Sequence, residues 1–261
     1  MLQALLSGLA LAGSAIAVSG AQDADPLVAS QILTDPYAYD FPRLGAPGAS
    51  LFPMRLCQGF KLEEASVDDL QQRMSNGSLT SVQLLDCYLD RIYQTQPYLK
   101  CDPPSPNYSI CTDHVSSAIL QLNPDAHAIA HRLDKERAKG HIRGPLHGIP
   151  FIVKDNIATK DRMETTAGCW ALIGSVVPRD SFVVHGMRKA GALLLGKAAL
   201  SEWADMRSNN YSEGFSARGG QCRSAYNFTV NPGGSSTGPG VAVGANLVPI
   251  ALGTETDGSG M

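Results

Sequence analysis

An apolar run at residues 241–252 contains no charged side chain and lies between two loops rich in glycine and serine, residues 233–238 and 254–259. The run predicts a short helix followed by a buried strand. Glycine lets the backbone of each loop adopt positive φ and bring several N–H groups close to one ligand atom. Because each loop also holds serine, the pattern suits an oxyanion hole beside a serine nucleophile.

A second buried strand is predicted at residues 149–153, where a β-branched and aromatic run ends at Lys154. In open α/β sheets, ligands gather outside the carboxyl ends of the strands. A lysine at such an end, next to the core, loses hydration, and its pKa falls. The alternative is a lysine that only pairs with the neighbouring Asp155.

Together these two blocks resemble the amidase signature family of serine hydrolases. Residues 231–259, which include the GGSS and DGS runs, are similar to the family's serine-rich signature, and residues 145–158 are similar to its GxPxxxKDN block. The resemblance implies an acyl-enzyme on Ser259, with Ser235 as the proton relay and Lys154 as the base. It also implies an oxyanion hole made by the backbone N–H groups of Thr256, Asp257, Gly258 and Ser259.

The order of helix and strand patterns predicts an α/β fold. Capping boxes predict helices that begin after Ser66 and Thr80, the second ending before Pro97, and a third helix starts at Asn123-Pro124. A helix at 181–189 and strands at 192–195 and 248–253 follow. The resemblance implies a layered α/β/α architecture with a mixed central sheet, incomplete in this chain. We expect a signal peptide at 1–21, an irregular extension at 22–60 and the amidase domain at 61–261.

Two other functions remain open. The G-x-S-x-G pattern at 234–238 places Ser236 where an α/β-hydrolase esterase carries its nucleophile, but no histidine follows His185 to complete the Ser-acid-His order. A secreted glycoprotein that binds without catalysis is the other alternative.

The amino-terminal apolar segment at residues 2–18 predicts secretion. Its alternative is a buried or tail-anchoring segment. Secretion agrees with four N-x-S/T sequons, at Asn76, Asn107, Asn210 and Asn227, and with an even count of six cysteines. Cys101 and Cys111 flank a proline-rich loop, so we expect a disulfide between them. The remaining cysteines have no assigned partners, and a buried free thiol is an equal option for Cys87.

A formal net charge of −3 without basic clusters argues against nucleic acid and anionic membrane surfaces as partners. We expect a small-molecule amide substrate, no stable membrane anchor and no cofactor, and leave the oligomeric state open. His127 and His131 stand at i and i+4, but they lack the Glu and the third ligand of a zinc helix, so no metal site is predicted. Trp203 and Arg218 lie in segments that resemble the borders of the family's active site and are candidates for the substrate pocket.

The carboxyl end departs from the family pattern. Family members continue through an SIRxPA-like segment, whereas this sequence reads Gly258-Ser259-Gly260-Met261. The resemblance therefore implies a fungal-type secreted member that is truncated after its nucleophile. We expect the 261 residues alone to lack amidase activity, because chain ends are poorly ordered unless they are tied down.

Overall fold

The computed structural model describes residues 53–99, 118–227 and 230–260, and for residues 96–99 the backbone alone. The predicted signal peptide, the Cys101–Cys111 disulfide, Asn107 and most of the predicted irregular extension lie outside the described residues. In the described part of the chain, none of the helices combines the length and apolar character needed to cross a membrane.

A four-stranded mixed sheet forms the centre of the fold, in the order β1-β3-β2-β6. The described strands are β1 (Ile119–Leu122), β2 (Pro150–Lys154), β3 (Leu193–Ala198), β4 (Phe215–Ser216), β5 (Gly220–Gln221) and β6 (Ala251–Leu252). Strand β2 runs parallel to both of its neighbours, whereas β1 is antiparallel to β3, and β4 and β5 form a separate hairpin. The predicted α/β class with a mixed sheet is confirmed.

The described helices are α1 (Val67–Ser75), α2 (Ser81–Leu99), α3 (Ala126–Ala138), α4 (Phe182–Lys189) and α5 (Thr237–Gly244). Both predicted capping boxes are present, between Ser66 and Asp69 and between Thr80 and Gln83. The predicted end of α2 is wrong, since the helix continues through Pro97 to Leu99. Proline removes one intrahelical hydrogen bond and crowds the carbonyl four residues earlier, but Pro97 lies two residues from the end of the helix, so the disruption is confined to its last turns.

Helices cover both faces of the sheet. One core cluster packs Leu85 of α2, Ala130 of α3 and Val241 of α5 against Ile152 and Leu193 of the sheet. On the opposite face, Val184 of α4 packs with strand side chains that include Phe151, Val153 and Leu194. This is the three-layer arrangement that the sequence predicts.

A β-bulge in β3 places two buried lysines, Lys154 and Lys197, on opposite faces of the sheet. Phe151 pairs with Leu194, but the next residue, Ile152, pairs with Gly196, so Leu195 is the extra residue. Side chains alternate between faces along a strand. The side chain of Lys197 therefore lies on the same face as that of Val153, whereas the side chain of Lys154 lies on the same face as that of Ile152. Gly196 is required in this register, because a Cβ there would lie 2.6 Å from the backbone oxygen of Gln121. The two lysines therefore lie on opposite faces.

A disulfide joins Cys57 to Cys87, with an S–S distance of 2.12 Å. It ties the segment before α1 to the middle of α2, and Cys57 is fully buried in the cluster that also holds Leu70 and Tyr88. The option of a free thiol at Cys87 is therefore wrong. Cys169 and Cys222 retain their thiols.

Candidate active site

Lys154 is the last residue of β2 and is fully buried. Burial lowers the pKa of its ammonium group from 10.5 to about 8, while the negative charge of Asp205 acts in the opposite direction. A buried amine loses more hydration when charged than when neutral, so the neutral form becomes accessible near physiological pH. The sequence predicted this position and this direction.

The two predicted serines lie one after the other beyond this amine. Lys154 Nζ lies 2.7 Å from Ser235 Oγ, and Ser235 Oγ lies 2.8 Å from Ser259 Oγ. Ser235 is fully buried and Ser259 is 8% exposed. The peptide bond between Gly234 and Ser235 is cis, and the carbonyl of Ser235 accepts a hydrogen bond from the N–H of Ser201 at 3.2 Å. The structure thus brings the three predicted residues into one continuous chain of hydrogen-bonding groups.

Ser236 has a different environment from the neighbouring serine. Its hydroxyl accepts from Lys154 Nζ at 3.0 Å and from the N–H of Thr254 at 3.2 Å, and it donates to the carbonyl of Thr254 at 3.0 Å. A hydroxyl has one proton and two lone pairs, so these three bonds use all of them. The backbone N–H of Ser236 also donates to the carbonyl of Ser259 at 3.1 Å. Ser236 therefore ties both ends of the 254–259 loop to the start of α5.

The contacts of Lys154 define the direction of its lone pair. Besides the two serines, its Nζ lies 3.2 Å from the carbonyl oxygen of Thr254. A neutral amine has two N–H donors and one lone pair. The Thr254 carbonyl can only accept, and the Ser236 proton is already donated, so both take a hydrogen bond from the amine. The lone pair then points at Ser235, the shortest of the three contacts.

The loop that precedes Ser259 presents free backbone donors. Residues 255–258 are exposed, and Gly258 has φ +74°. Among the described residues, the N–H groups of Thr256, Asp257, Gly258 and Ser259 donate no hydrogen bond. Consecutive backbone donors that no described protein group accepts from, in the loop that leads to a serine, are the kind of group that can bind a developing negative charge.

A cavity of about 580 Å³ opens beside Ser259. Small and apolar residues of α5 and of the 232–234 loop form much of its wall, together with Tyr226 and Ala251. Glu64 is the charged side chain that reaches its lining. The space is open enough for a small molecule and has few charges to recognise an ionic one.

Arg218 is buried and engaged by side chains inside the protein. It is 7% exposed, forms an ion pair with Glu164 at 3.0 Å and donates to Thr166 Oγ1 at 3.0 Å. Its second carboxylate neighbour is Asp155, at 3.7 Å. These contacts stabilise the fold around Arg218, and its place in a substrate pocket stays a prediction. Trp203, the other candidate, remains 38% exposed.

Two further buried charges lie close to Arg218. Lys197 donates to the carbonyl of Ile157 at 2.6 Å and to Thr165 Oγ1 at 2.9 Å, and burial lowers its pKa to about 8. Burial raises the pKa of Asp155, which accepts from the backbone N–H groups of Thr166 and Gly168. Asp155 therefore faces away from Lys154, and the simple Lys154–Asp155 pair considered from the sequence is wrong. The sequence carried no signal for this network, because it depends on the bulge in β3.

Metal ligation is not suggested by the described residues. They contain no group of three or more His, Cys, Asp or Glu side chains arranged to hold a metal ion. His127 Nε2 instead lies 2.8 Å from Asp86 on the neighbouring helix α2.

The protein-family model described as Amidase matches residues 107–261 of this chain. A putative amidase of Schizosaccharomyces pombe is 59% identical over 210 residues, which cover 80% of this chain and 33% of that protein. A probable amidase of Arabidopsis thaliana is 44% identical over 208 residues, covering 79% of this chain and 37% of that protein.

Among solved structures, the native peptide amidase from Stenotrophomonas maltophilia is 46% identical, with a TM-score of 0.65. The match covers 75% of this chain and 37% of that chain. The 261 residues thus span about a third of the length of the curated relatives they match.

Proposed function

This chain belongs to the amidase family, and from that premise we propose that it carries the catalytic part of an enzyme that hydrolyses carboxamides to carboxylate and ammonia or amine. The observation that carries the proposal is the continuous contact from Lys154 Nζ through Ser235 Oγ to Ser259 Oγ, at 2.7 and 2.8 Å. A serine hydroxyl needs a base to become nucleophilic, and this chain of contacts connects one to Ser259.

The proposed reaction starts from neutral Lys154. With a pKa of about 8, roughly a tenth of this amine is neutral at pH 7. Ser235 transfers its proton to Lys154 Nζ and takes the proton of Ser259, whose Oγ forms a bond to the substrate carbonyl carbon. The same relay then returns a proton to the leaving nitrogen as the C–N bond breaks. Water attacks the resulting acyl-enzyme through the same relay and releases the carboxylic acid and free Ser259.

The oxyanion of each tetrahedral intermediate needs donors that do not move during the reaction. We assign this role to the backbone N–H groups of Thr256, Asp257, Gly258 and Ser259. Their lack of partners among the described residues supports the assignment. Losing one such donor typically costs about 3 kcal/mol of transition-state stabilisation.

Ser236 is proposed to orient the base rather than to attack the substrate. Its proton is donated to the Thr254 carbonyl, and its charged neighbour is a lysine instead of the histidine that an esterase elbow needs. The esterase alternative therefore has less support than the Ser259 mechanism. No observation favours the non-catalytic glycoprotein.

The proposed substrate is a small molecule with an uncharged acyl group next to its amide. The cavity beside Ser259 supports this choice, since Glu64 is the single charged side chain among the described residues that line it. A neutral acyl group enters such a space without leaving an unpaired charge behind.

We further propose that the protein is secreted and glycosylated. The Cys57–Cys87 disulfide supports this, because disulfides persist in oxidising compartments. The sequons at Asn76 and Asn210 lie at exposed positions that a glycosyltransferase can reach.

The test uses the longest natural polypeptide that contains this sequence. A fluorophosphonate probe should label it at Ser259, as identified by peptide mass spectrometry, and labelling should block turnover of an aryl amide. The control variant Ser236→Ala should keep the labelled site at Ser259. Labelling of Ser236 in the unmodified protein would replace this mechanism with the esterase alternative.

A further inference from the structure

The backbone pairing between β2 and β6 ends just before the loop that leads to Ser259. The ladder between these strands consists of Ile152 paired with Ala251 and Val153 paired with Leu252. Gly253 follows and is exposed. Thr254 is therefore beyond the reach of the ladder, although its carbonyl oxygen accepts hydrogen bonds from both Lys154 Nζ and Ser236 Oγ.

One side-chain contact spans this gap from the other strand. Asn156, two residues after Lys154, donates from Nδ2 to Thr254 Oγ1 at 3.0 Å. The Thr254 hydroxyl lies 3.5 Å from Asn156 Oδ1. Both side chains are half-buried. The bond therefore links the end of β2 to the first residue of the loop where backbone pairing no longer does so.

The turn that holds Asn156 is itself fixed. The N–H of Asp155 donates to the carbonyl of Ala198 at 3.0 Å, and the N–H of Ile157 donates to the carbonyl of Lys154 at 2.9 Å. From the other face of the sheet, Lys197 Nζ donates to the carbonyl of Ile157 at 2.6 Å. Asn156 thus has an anchored backbone on both sides, which a residue needs if it is to position another.

We propose that Asn156 is a positioning residue for the base: its amide holds Thr254, and through Thr254 it holds the carbonyl oxygen that orients Lys154. The proposal rests on Lys154 acting as the base, as proposed above. Without the Asn156–Thr254 bond, the hydrogen bonds that remain at Thr254 among the described residues are those to Ser236 and to Lys154 itself. Water then reaches the ammonium group more easily, and the lone pair of the amine loses its fixed direction toward Ser235.

Charged groups near Lys154 also influence its pKa. Asp205, on the turn at Glu202–Asp205, raises the pKa of Lys154. Glu255 and Asp257 of the 254–259 loop are exposed, and the described part of α5 holds no charged side chain. None of these groups is altered by substitutions at Asn156 or Thr254, so a change in the titration reports the loss of the contact.

The experiment follows the 13Cε resonance of Lys154 by NMR as a function of pH in the longest natural polypeptide that contains this sequence. The resonance is identified by its absence from Lys154→Arg. In the unmodified chain it should titrate near pH 8. Asn156→Leu and Thr254→Val should each raise the midpoint toward the ordinary lysine value by about half a unit or more, because burial is what lowers it. The variant carrying both changes should shift no further than either one, since each removes the same contact.

Two controls separate positioning from general destabilisation. Thr254→Ser keeps the hydroxyl and should titrate like the unmodified chain. Asn76→Leu, at an exposed asparagine after α1, should do the same. An Asn156→Leu midpoint within about 0.3 units of the unmodified one, or additive shifts in the double variant, would overturn the proposal. If Asn156→Leu does not fold, Thr254→Val against Thr254→Ser decides the outcome.

A kinetic arm uses the longest natural polypeptide that contains the sequence. Asn156→Leu should lower kcat on the order of tenfold while KM stays unchanged, because small displacements of a base slow chemistry more than binding. A loss that appears in KM alone would contradict a positioning role. Absence of amide turnover in the unmodified protein would refute the proposed function, whereas the NMR titration would still decide whether Asn156 holds Thr254 against Lys154.

Discussion

Lys154 Nζ and Ser235 Oγ are 2.7 Å apart although 81 residues separate them along the chain. Both side chains are fully buried. Lys154 reaches the contact from the carboxyl end of a parallel strand, and Ser235 reaches it from the loop that enters α5. The contact holds Lys154 in a buried position, where its pKa is lowered. It also joins Lys154 to the Ser235 hydroxyl, which contacts Ser259.

The first prediction concerns the three residues of the relay. Lys154→Ala, Ser235→Ala and Ser259→Ala should each abolish measurable amide turnover by the longest natural polypeptide, because each removes a group that carries the proton or the acyl bond. Ser236→Ala should retain more activity than any of them. Circular dichroism should show that all four variants fold. A fully active Ser235→Ala variant would remove the relay from the mechanism.

The second prediction is the pH dependence of the reaction. Because the base acts in its neutral form, kcat/KM for an aryl amide should rise with pH and level off above a midpoint near 8. An ordinary lysine would give a midpoint above 10. A profile that is flat between pH 6 and 9 would mean that Lys154 does not act as the base.

The third prediction is a trade between stability and activity at Lys154. Its folded pKa is below the unfolded value, so the unfolded chain binds more protons between pH 8 and 10.5, and stability rises with pH across that window. Lys154→Met should therefore increase the free energy of unfolding at pH 7 by roughly 1–3 kcal/mol while removing activity. The gain should shrink as pH approaches 10.5. Urea unfolding at pH 7 and pH 10 measures both parts, and lower stability of Lys154→Met at pH 7 would contradict the prediction.

The fourth prediction concerns acid sensitivity at His147, a fully buried histidine between α3 and β2. Its Nδ1 accepts from the N–H of Arg143 at 3.2 Å, and its Nε2 lies 2.9 Å from the carbonyl of Leu133. Burial lowers the pKa of His147, so its contribution to stability is complete above about pH 6.5 and is lost as pH falls below it. His147→Gln should lower stability at pH 7.5 and flatten the decline between pH 6.5 and 5. An unchanged slope in urea unfolding would exclude His147 as its source.

The fifth prediction concerns the Cys57–Cys87 disulfide. It closes a loop with a sequence separation of 30, for which chain entropy predicts about 3.6 kcal/mol of stabilisation. Replacing both cysteines with alanine should lower the free energy of unfolding by about that amount, and reductant should have the same effect on the unmodified chain.

Expression in a secretory host should give the bridge, attached glycans and loss of the first 21 residues. Six free thiols after such expression would contradict this prediction.

The last prediction is that the 261 residues alone turn over little or no amide. Residues 255–258 are exposed in the structure, and about two thirds of each curated relative has no counterpart in these residues. Donors that are free to move stabilise an oxyanion poorly, because small displacements can cost on the order of a hundredfold in rate. The check is to titrate this chain and the longest natural polypeptide with the same fluorophosphonate. Stoichiometric labelling of Ser259 in the shorter chain, with turnover, would refute the expectation.

Local patterns in the sequence were sufficient for the elements that depend on neighbouring residues. The capping boxes at Ser66 and Thr80, the buried strand that ends at Lys154 and the two loops that hold Ser235 and Ser259 are each encoded within a few positions. The roles predicted for Lys154, Ser235 and Ser259 came from the resemblance to the amidase signature family, because periodicity alone does not indicate a role in catalysis. The sequence-based errors were of two kinds: a boundary, since α2 continues through Pro97 to Leu99, and the partners of single side chains, namely Cys87 and Lys154.

Only the tertiary structure decided the contacts between distant segments. The bulge at Leu195 places Lys197 on the face of the sheet opposite Lys154. The Cys57–Cys87 bridge assigns two cysteines, and Asn156 contacts Thr254 across 98 residues of chain. Such contacts depend on how strands pair and how side chains fill a shared interior, and a residue's neighbours in sequence do not specify either. The sequence by itself therefore predicted which groups carry the proposed chemistry, whereas the fold determined which groups lie in contact with them.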